Sequence, residues 1–146
     1  MTEYRSVKPR EIVMGKLGYG CDLLEELTNV CVKHDVKIGR IEAIGAVQKA
    51  HIGFYNQETR TYQFSSFDHP FEITNLIGNV SLKEGNPFVH AHITIADKSG
   101  KCFGGHLSTG TVVFACEFFL EAFDGPAFHR SFDEKTGLPL WTMIGD

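Results

Sequence analysis

The chain has 146 residues, 42% of them hydrophobic and 22% charged, and carries a formal charge of -4 from 14 basic and 18 acidic residues. That length suits one globular domain over residues 1–146, with a core of its own and no need of disulfide staples. The apolar fraction excludes a disordered chain. The lack of any 18-residue uncharged apolar run excludes a membrane-spanning helix, and the acidic balance disfavours unaided duplex DNA binding.

In chain order, Met1-Thr2-Glu3-Tyr4-Arg5 is not followed by the apolar stretch of a secretory signal, so a cytoplasmic location is expected. Glu11 to Met14 reads as a short strand. Gly15-Lys16-Leu17-Gly18-Tyr19-Gly20 follows, and it matches neither G-x-G-x-x-G nor a Walker loop. It reads as a flexible connection rather than a phosphate cradle. Asp22 then caps a helix, with Glu25 three residues on. Leu23, Leu24, Leu27, Val30 and Cys31 recur at helical spacing. Glu25 and Glu26 near the start and Lys33 and His34 near the end suit the helix dipole.

From there on the pattern is strand: Val36 to Tyr55, Thr61 to Phe67, Phe71 to Leu82, Phe88 to Ala96, Cys102 to Thr109 and Thr111 to Phe123. Lys83-Glu84-Gly85-Asn86-Pro87 and Asp97-Lys98-Ser99-Gly100-Lys101 read as turns. No long helical pattern separates the strands, which argues against parallel winding. The expected fold class is α+β: a mostly antiparallel β-sheet with one main α-helix packed on it, in a single domain.

Cys21, Cys31, Cys102 and Cys116 form no C-x-x-C pair, so they read as free thiols rather than a zinc knuckle. Phe114, Phe118, Phe119, Phe123, Phe128 and Phe132 are crowded into one segment, which suits core packing and a subunit interface equally well.

The histidines carry the chemistry. His90 and His92 lie two apart in a strand, so both imidazoles leave the same face. If Asp97 to Lys101 form the loop, Ala96 pairs with Cys102, and His92 falls opposite His106. A slip of one residue would send His106 to the other face. Val89, Ala91, Ile93 and Ile95 make the apolar face of that strand, while Cys102 and Gly104 keep the histidine face uncrowded. Three imidazoles with an open fourth position are a zinc arrangement that activates water or polarises a carbonyl. A divalent metal on His90, His92 and His106, most simply zinc, is therefore expected. Solvated histidines on an open sheet face are the plainer alternative. Glu117 is the nearest carboxylate in sequence to serve as a base, and Cys102 is not counted as a ligand. His51, His69 and His129 read as surface residues.

Two segments resemble a known family. They are Gly39-Arg40-Ile41-Glu42-Ala43-Ile44, and His90-Ala91-His92-Ile93-Thr94-Ile95-Ala96-Asp97 followed by Gly100-Lys101-Cys102-Phe103-Gly104-Gly105-His106-Leu107. The chain resembles the plants-and-prokaryotes-conserved domain over roughly residues 5–130. The resemblance implies an antiparallel sheet with a helix, assembled as a homotrimer, and a stand-alone prokaryotic form. In plant relatives, which follow AT-hook motifs in nuclear DNA-binding proteins, the first segment reads Gly-Arg-Phe-Glu-Ile-Leu and contacts partner transcription factors. Arg40 and Glu42 match it, whereas Ile41 and Ala43 depart. Arg40 and Glu42 are thus candidate interface residues, with an ion pair on the sheet as the simpler reading. The chain has no Arg-Gly-Arg-Pro hook, the element that enters the minor groove.

The expected function is a small oligomeric metal-binding protein of unassigned substrate, with a hydrolytic reaction the natural chemistry. The alternative is a non-enzymatic DNA-associated or protein-interaction domain, and a third reading is an oligomeric scaffold with solvated histidines.

Overall fold

The computed structural model describes residues 2–142. Its elements are β1 (Lys8–Leu17), α1 (Leu23–Lys33), β2 (Gly39–Asn56), β3 (Thr61–Phe67), β4 (Phe71–Lys83), β5 (Asn86–Ala96), β6 (Cys102–Leu107), β7 (Val112–Asp124), β8 (His129–Asp133) and β9 (Leu138–Thr142). One helix on an antiparallel sheet is what the residue pattern predicts, but strand is the dominant character of the molecule. No helix among the described residues is long and apolar enough to cross a membrane.

β2 organises the sheet. Its first half lies between β4 and β7, and its second half between β3 and β6. The change of partners falls where the ladder bulges, between Ala43 and Lys49. A bulge bends a strand and sharpens its twist. Gly45 sits there with φ +146°, and a Cβ on it would stand 2.1 Å from the Ala115 carbonyl oxygen. Only glycine lets β2 turn the corner so close to β7. Because β4 pairs with β5 and β5 with β6, the circuit β2–β4–β5–β6 closes back on β2.

α1 covers the apolar face of this sheet. Asp22 Oδ1 accepts from the amides of Leu24 at 3.0 Å and Glu25 at 3.1 Å, and Oδ2 accepts from Gly110 at 2.6 Å. The cap therefore also ties the helix to the β6–β7 loop. Leu23, Leu27 and Cys31 are buried against a core that includes Ile41, Leu76, Ile93, Ile95 and Leu120. Burying each leucine is worth about 1.5–3 kcal/mol. On β5, Val89, Ala91, Ile93 and Ile95 all point into that core, so His90 and His92 leave on the face away from the helix.

Several elements differ from the sequence pattern. β1 runs from Lys8 to Leu17, well beyond Glu11 to Met14, because it pairs along its length with β7. The turn placed at Lys83 to Pro87 closes to Glu84 and Gly85 alone, with φ 52° and 80°, the left-handed pair of a tight hairpin. β8 and β9 have no counterpart in the expectations. Of the clustered phenylalanines, Phe118 and Phe128 are buried, whereas Phe114, Phe119 and Phe132 are exposed.

Candidate metal centre

The β5–β6 hairpin pairs Ala96 with Cys102 and carries that register to His92 opposite His106. The loop Asp97 to Lys101 holds the register. Asp97 Oδ1 accepts from the amides of Ser99 at 2.8 Å and Lys101 at 3.1 Å and from the Ser99 hydroxyl at 2.6 Å. His90 joins from two residues back along β5. The three rings form a triangle with centroid separations of 5.2 Å (His90–His92), 5.1 Å (His90–His106) and 5.7 Å (His92–His106). One ring nitrogen from each lies within 4.8 Å of the others. A tetrahedral ion with bonds of about 2.0–2.1 Å spaces its ligands about 3.4 Å apart, so small ring rotations separate this arrangement from a ligating one.

Two further observations test the fit. His106 Nδ1 is buried and has no hydrogen-bond partner among the described residues. An orphaned polar atom of that kind costs about 1–3 kcal/mol, which a bound ion would remove. Burial pushes the His90 imidazole down to about 4, with His106, Arg130 and His92 adding to the effect. The His106 pKa is lowered by burial and then by His92 and Arg130. Both rings are thus neutral at pH 7, the form that binds a metal. The donor set, imidazole only, suits zinc and other borderline ions.

Around the triangle, the Tyr62 ring of β3 stands 5.0 Å from that of His106. Two cavities flank His90. The larger, ≈ 450 Å³, is lined by Arg40, Ile77, Asn79, His90 and His92. The smaller, ≈ 120 Å³, is lined by Tyr62, Phe88, His90, His106, Arg130 and residues of β9. Arg40 pairs with Glu42 on its own strand and with Glu121 at 3.9 Å. Glu117 lies on β7, three strands from His92, and lines neither cavity. Cys102 is exposed at the far end of the hairpin, outside the cluster. His51 is half-buried, stacks on Phe64 at 4.8 Å and hydrogen-bonds Ser66 at 2.9 Å, whereas His69 and His129 are exposed. Tyr62 and Arg130 escaped the sequence reading. Tyr62 was visible only as part of an aromatic alternation, and nothing local marks Arg130.

A model of the Plants and Prokaryotes Conserved (PCC) domain matches residues 4–124. Among solved structures, the chain is 38% identical to a metal-containing protein from Archaeoglobus fulgidus, covering 97% of this chain and 99% of that one with a TM-score of 0.92. It is 33% identical to a plant- and prokaryote-conserved protein from Pyrococcus horikoshii, over 99% of both chains and with a TM-score of 0.91. It is also 30% identical over 133 residues to the bifunctional protein GlmU of a Synechococcus strain; the match takes in 87% of this chain but only 20% of that relative's length. With the family pattern running through β1 to β7 and the same fold in two archaeal relatives, the chain belongs to the Plants and Prokaryotes Conserved domain family.

Proposed function

We propose that the protein is a small oligomeric metal-binding protein in which His90, His92 and His106 hold one divalent ion, zinc by preference, with a coordination position left open to water or a ligand. The observation that carries this reading is the triangle of imidazole nitrogens within 4.8 Å, one of them on a ring whose Nδ1 is buried and unbonded. The metal-containing relative from Archaeoglobus fulgidus supports it. When bound, such an ion supplies Lewis acidity, polarising a carbonyl or acidifying a water, and hydrolysis is the reaction that suits. The chain's own residues do the rest. Burial keeps His90 and His106 neutral, Tyr62 covers the His106 ring, and exposed His92 leaves the larger cavity as the way in.

The assembly we propose is a homotrimer. Its support, besides the resemblance, is a row of side chains across one sheet face: Met14, Phe119, Glu42, Ile77, His92 and His106 are successive cross-strand neighbours. Met14 is 69% exposed, Phe119 47% and Ile77 46%. A second copy on this face would reach Arg40 and Glu42 and adjoin the histidines.

Elemental analysis of tag-free protein tests the metal: about one ion per chain is expected, and no stoichiometric metal after titration would overturn the reading. Light scattering tests the assembly, where a mass near the 16.3 kDa of one chain would overturn it.

A further inference from the structure

The metal reading gives no part to Arg130, yet this residue faces the histidines across the smaller cavity. Its guanidinium donates from Nε to Ser81 Oγ at 2.8 Å, from Nη1 to the Pro139 carbonyl at 3.0 Å and from Nη2 to Asn79 Oδ1 at 3.0 Å. All three acceptors are neutral. Among the described residues, no carboxylate lies within ion-pair distance of it. The rings of Phe88 and Trp141 stand 5.0 Å and 5.9 Å from its central carbon.

Arg40, on the other side of His90, provides the contrast. Two carboxylates, Glu42 and Glu121, compensate its charge. Arg130 is half-buried, and no carboxylate among the described residues compensates its charge, a costly condition unless something answers it. An arginine has five N–H donors in a planar fork, and three are used among the described residues. The remaining two, one on each Nη, match an oxyanion.

The rest of the cavity wall sets the kind of anion. Phe88, Leu138 and Leu140 are apolar. The volume of ≈ 120 Å³ is below the roughly 150 Å³ of a cavity that holds benzene, so about six non-hydrogen atoms is the upper limit. Inorganic phosphate would satisfy the arginine but waste the apolar wall.

We propose that the cavity between the histidines and Arg130 binds a small organic carboxylate, its oxygens on the guanidinium and its short hydrocarbon body against Phe88, Leu138 and Leu140. The proposal deepens the metal reading by naming the substrate class of that site. It rests on that reading only for what the far end of the ligand meets, because Arg130 and its cavity are present with or without an ion.

The test titrates zinc-loaded chain with acetate, propionate, isobutyrate, the matching amides and inorganic phosphate. Calorimetry and the fluorescence of Trp141, the one tryptophan of the chain, are the readouts. Isobutyrate is expected to bind more tightly than acetate. Its amide should bind about tenfold to a hundredfold more weakly, the usual worth of a charged hydrogen bond. Arg130→Gln should lose carboxylate affinity by a similar factor while retaining about one zinc per chain. Carboxylates that bind no tighter than their amides, or equally to wild type and Arg130→Gln, would overturn the site, as would a preference for phosphate over isobutyrate. Should Arg130→Gln fail to fold, Arg130→Lys and the carboxylate–amide comparison in the wild type decide. The metal reading fails separately. Wild type that takes up no zinc, yet binds isobutyrate in an Arg130-dependent way, leaves the anion site standing alone.

Discussion

His92 on β5 stands directly across the ladder from His106 on β6, with their rings 5.7 Å apart and nearly perpendicular. His90 closes the triangle from the same face. Removing either partner of the pair should leave two imidazoles, too few to hold an ion in place. His92→Ala and His106→Ala are expected to lose stoichiometric metal, whereas His51→Ala, whose ring stacks on Phe64 away from the cluster, keeps it. Equal metal content in His92→Ala and wild type, by elemental analysis, would remove His92 from the site.

Gly105, beside His106, lies so close to β2 that a Cβ would stand 2.5 Å from the Gly53 carbonyl oxygen and 2.7 Å from the Ile52 side chain. Gly105→Ala must push β6 off β2 and carry His106 with it. A loss of about 1–3 kcal/mol in urea unfolding is expected, as for other overpacked sites, together with weaker metal binding. Gly18→Ala meets nothing within 4 Å and should change stability by less than about 0.5 kcal/mol. Full metal affinity in a folded Gly105→Ala would show that the β2–β6 contact does not position His106.

The lowered His90 and His106 values fix a pH dependence with a definite sign. Between about 6.5, the ordinary imidazole value, and the value of about 4 at His90, the unfolded chain binds protons that the folded chain does not. Stability of metal-free protein therefore falls as pH drops through that window and levels off below it for this residue. Asp97 and Asp133 are held below their ordinary values by bonds from Ser99 and Thr136, so their contribution is lost only at lower pH. Melting temperature should decline from pH 7 to pH 5, and decline less in His90→Gln. An identical decline in that variant would contradict the assignment.

Thiol labelling should separate the four cysteines. Cys31 is fully buried and its thiol is pushed up to about 12; Cys116 is 2% exposed and pushed up to about 11, in both cases chiefly by burial. Cys21 is partly buried, and burial raises its pKa as well. Cys102 alone among them is exposed. Since the thiolate is the reactive form, an alkylating reagent at pH 8 should modify about one thiol per folded chain, at Cys102. Rapid loss of all four thiols under native conditions would contradict this placement.

The histidine pair was legible in the sequence because everything that sets it is local. Alternation along Val89 to Ile95 assigns the faces, and the five-residue loop from Asp97 to Lys101 fixes the register. The helix was legible for the same reason, through Asp22 and the apolar spacing after it. Arg130 and Tyr62 were not. Tyr62 reaches His106 because β2 carries β3 and β6 on the two sides of its second half. Arg130 arrives on a strand that touches β4 at one residue pair. Tyr62 thus depends on the partners of β2 and Arg130 on a late strand docking beside β4, and no short window of residues encodes either. Asn86 and Pro87 are common turn residues, yet the ladder to β4 takes them into β5 and leaves Glu84-Gly85 alone as the turn.

The attachment of β8 has a consequence for how the molecule fluctuates. Among the described residues, the hairpin β8–β9 has one ladder pair to the rest of the sheet, Leu82–His129; otherwise it is held by the Leu82 amide bond to the Phe128 carbonyl and by side chains, Arg130 to Ser81 and Asn79, Tyr55 to the Thr136 carbonyl and Arg60 to the Glu134 carbonyl. β5, by contrast, is laddered to β4 from Asn86 to Ala96 and to β6 from His92 to Ala96. Opening in a native protein follows such differences in bonding. The amides of β8 and β9 should exchange with deuterated solvent far sooner than those of β5, so the wall that carries Arg130 can lift while the hairpin that carries His90, His92 and His106 stays shut.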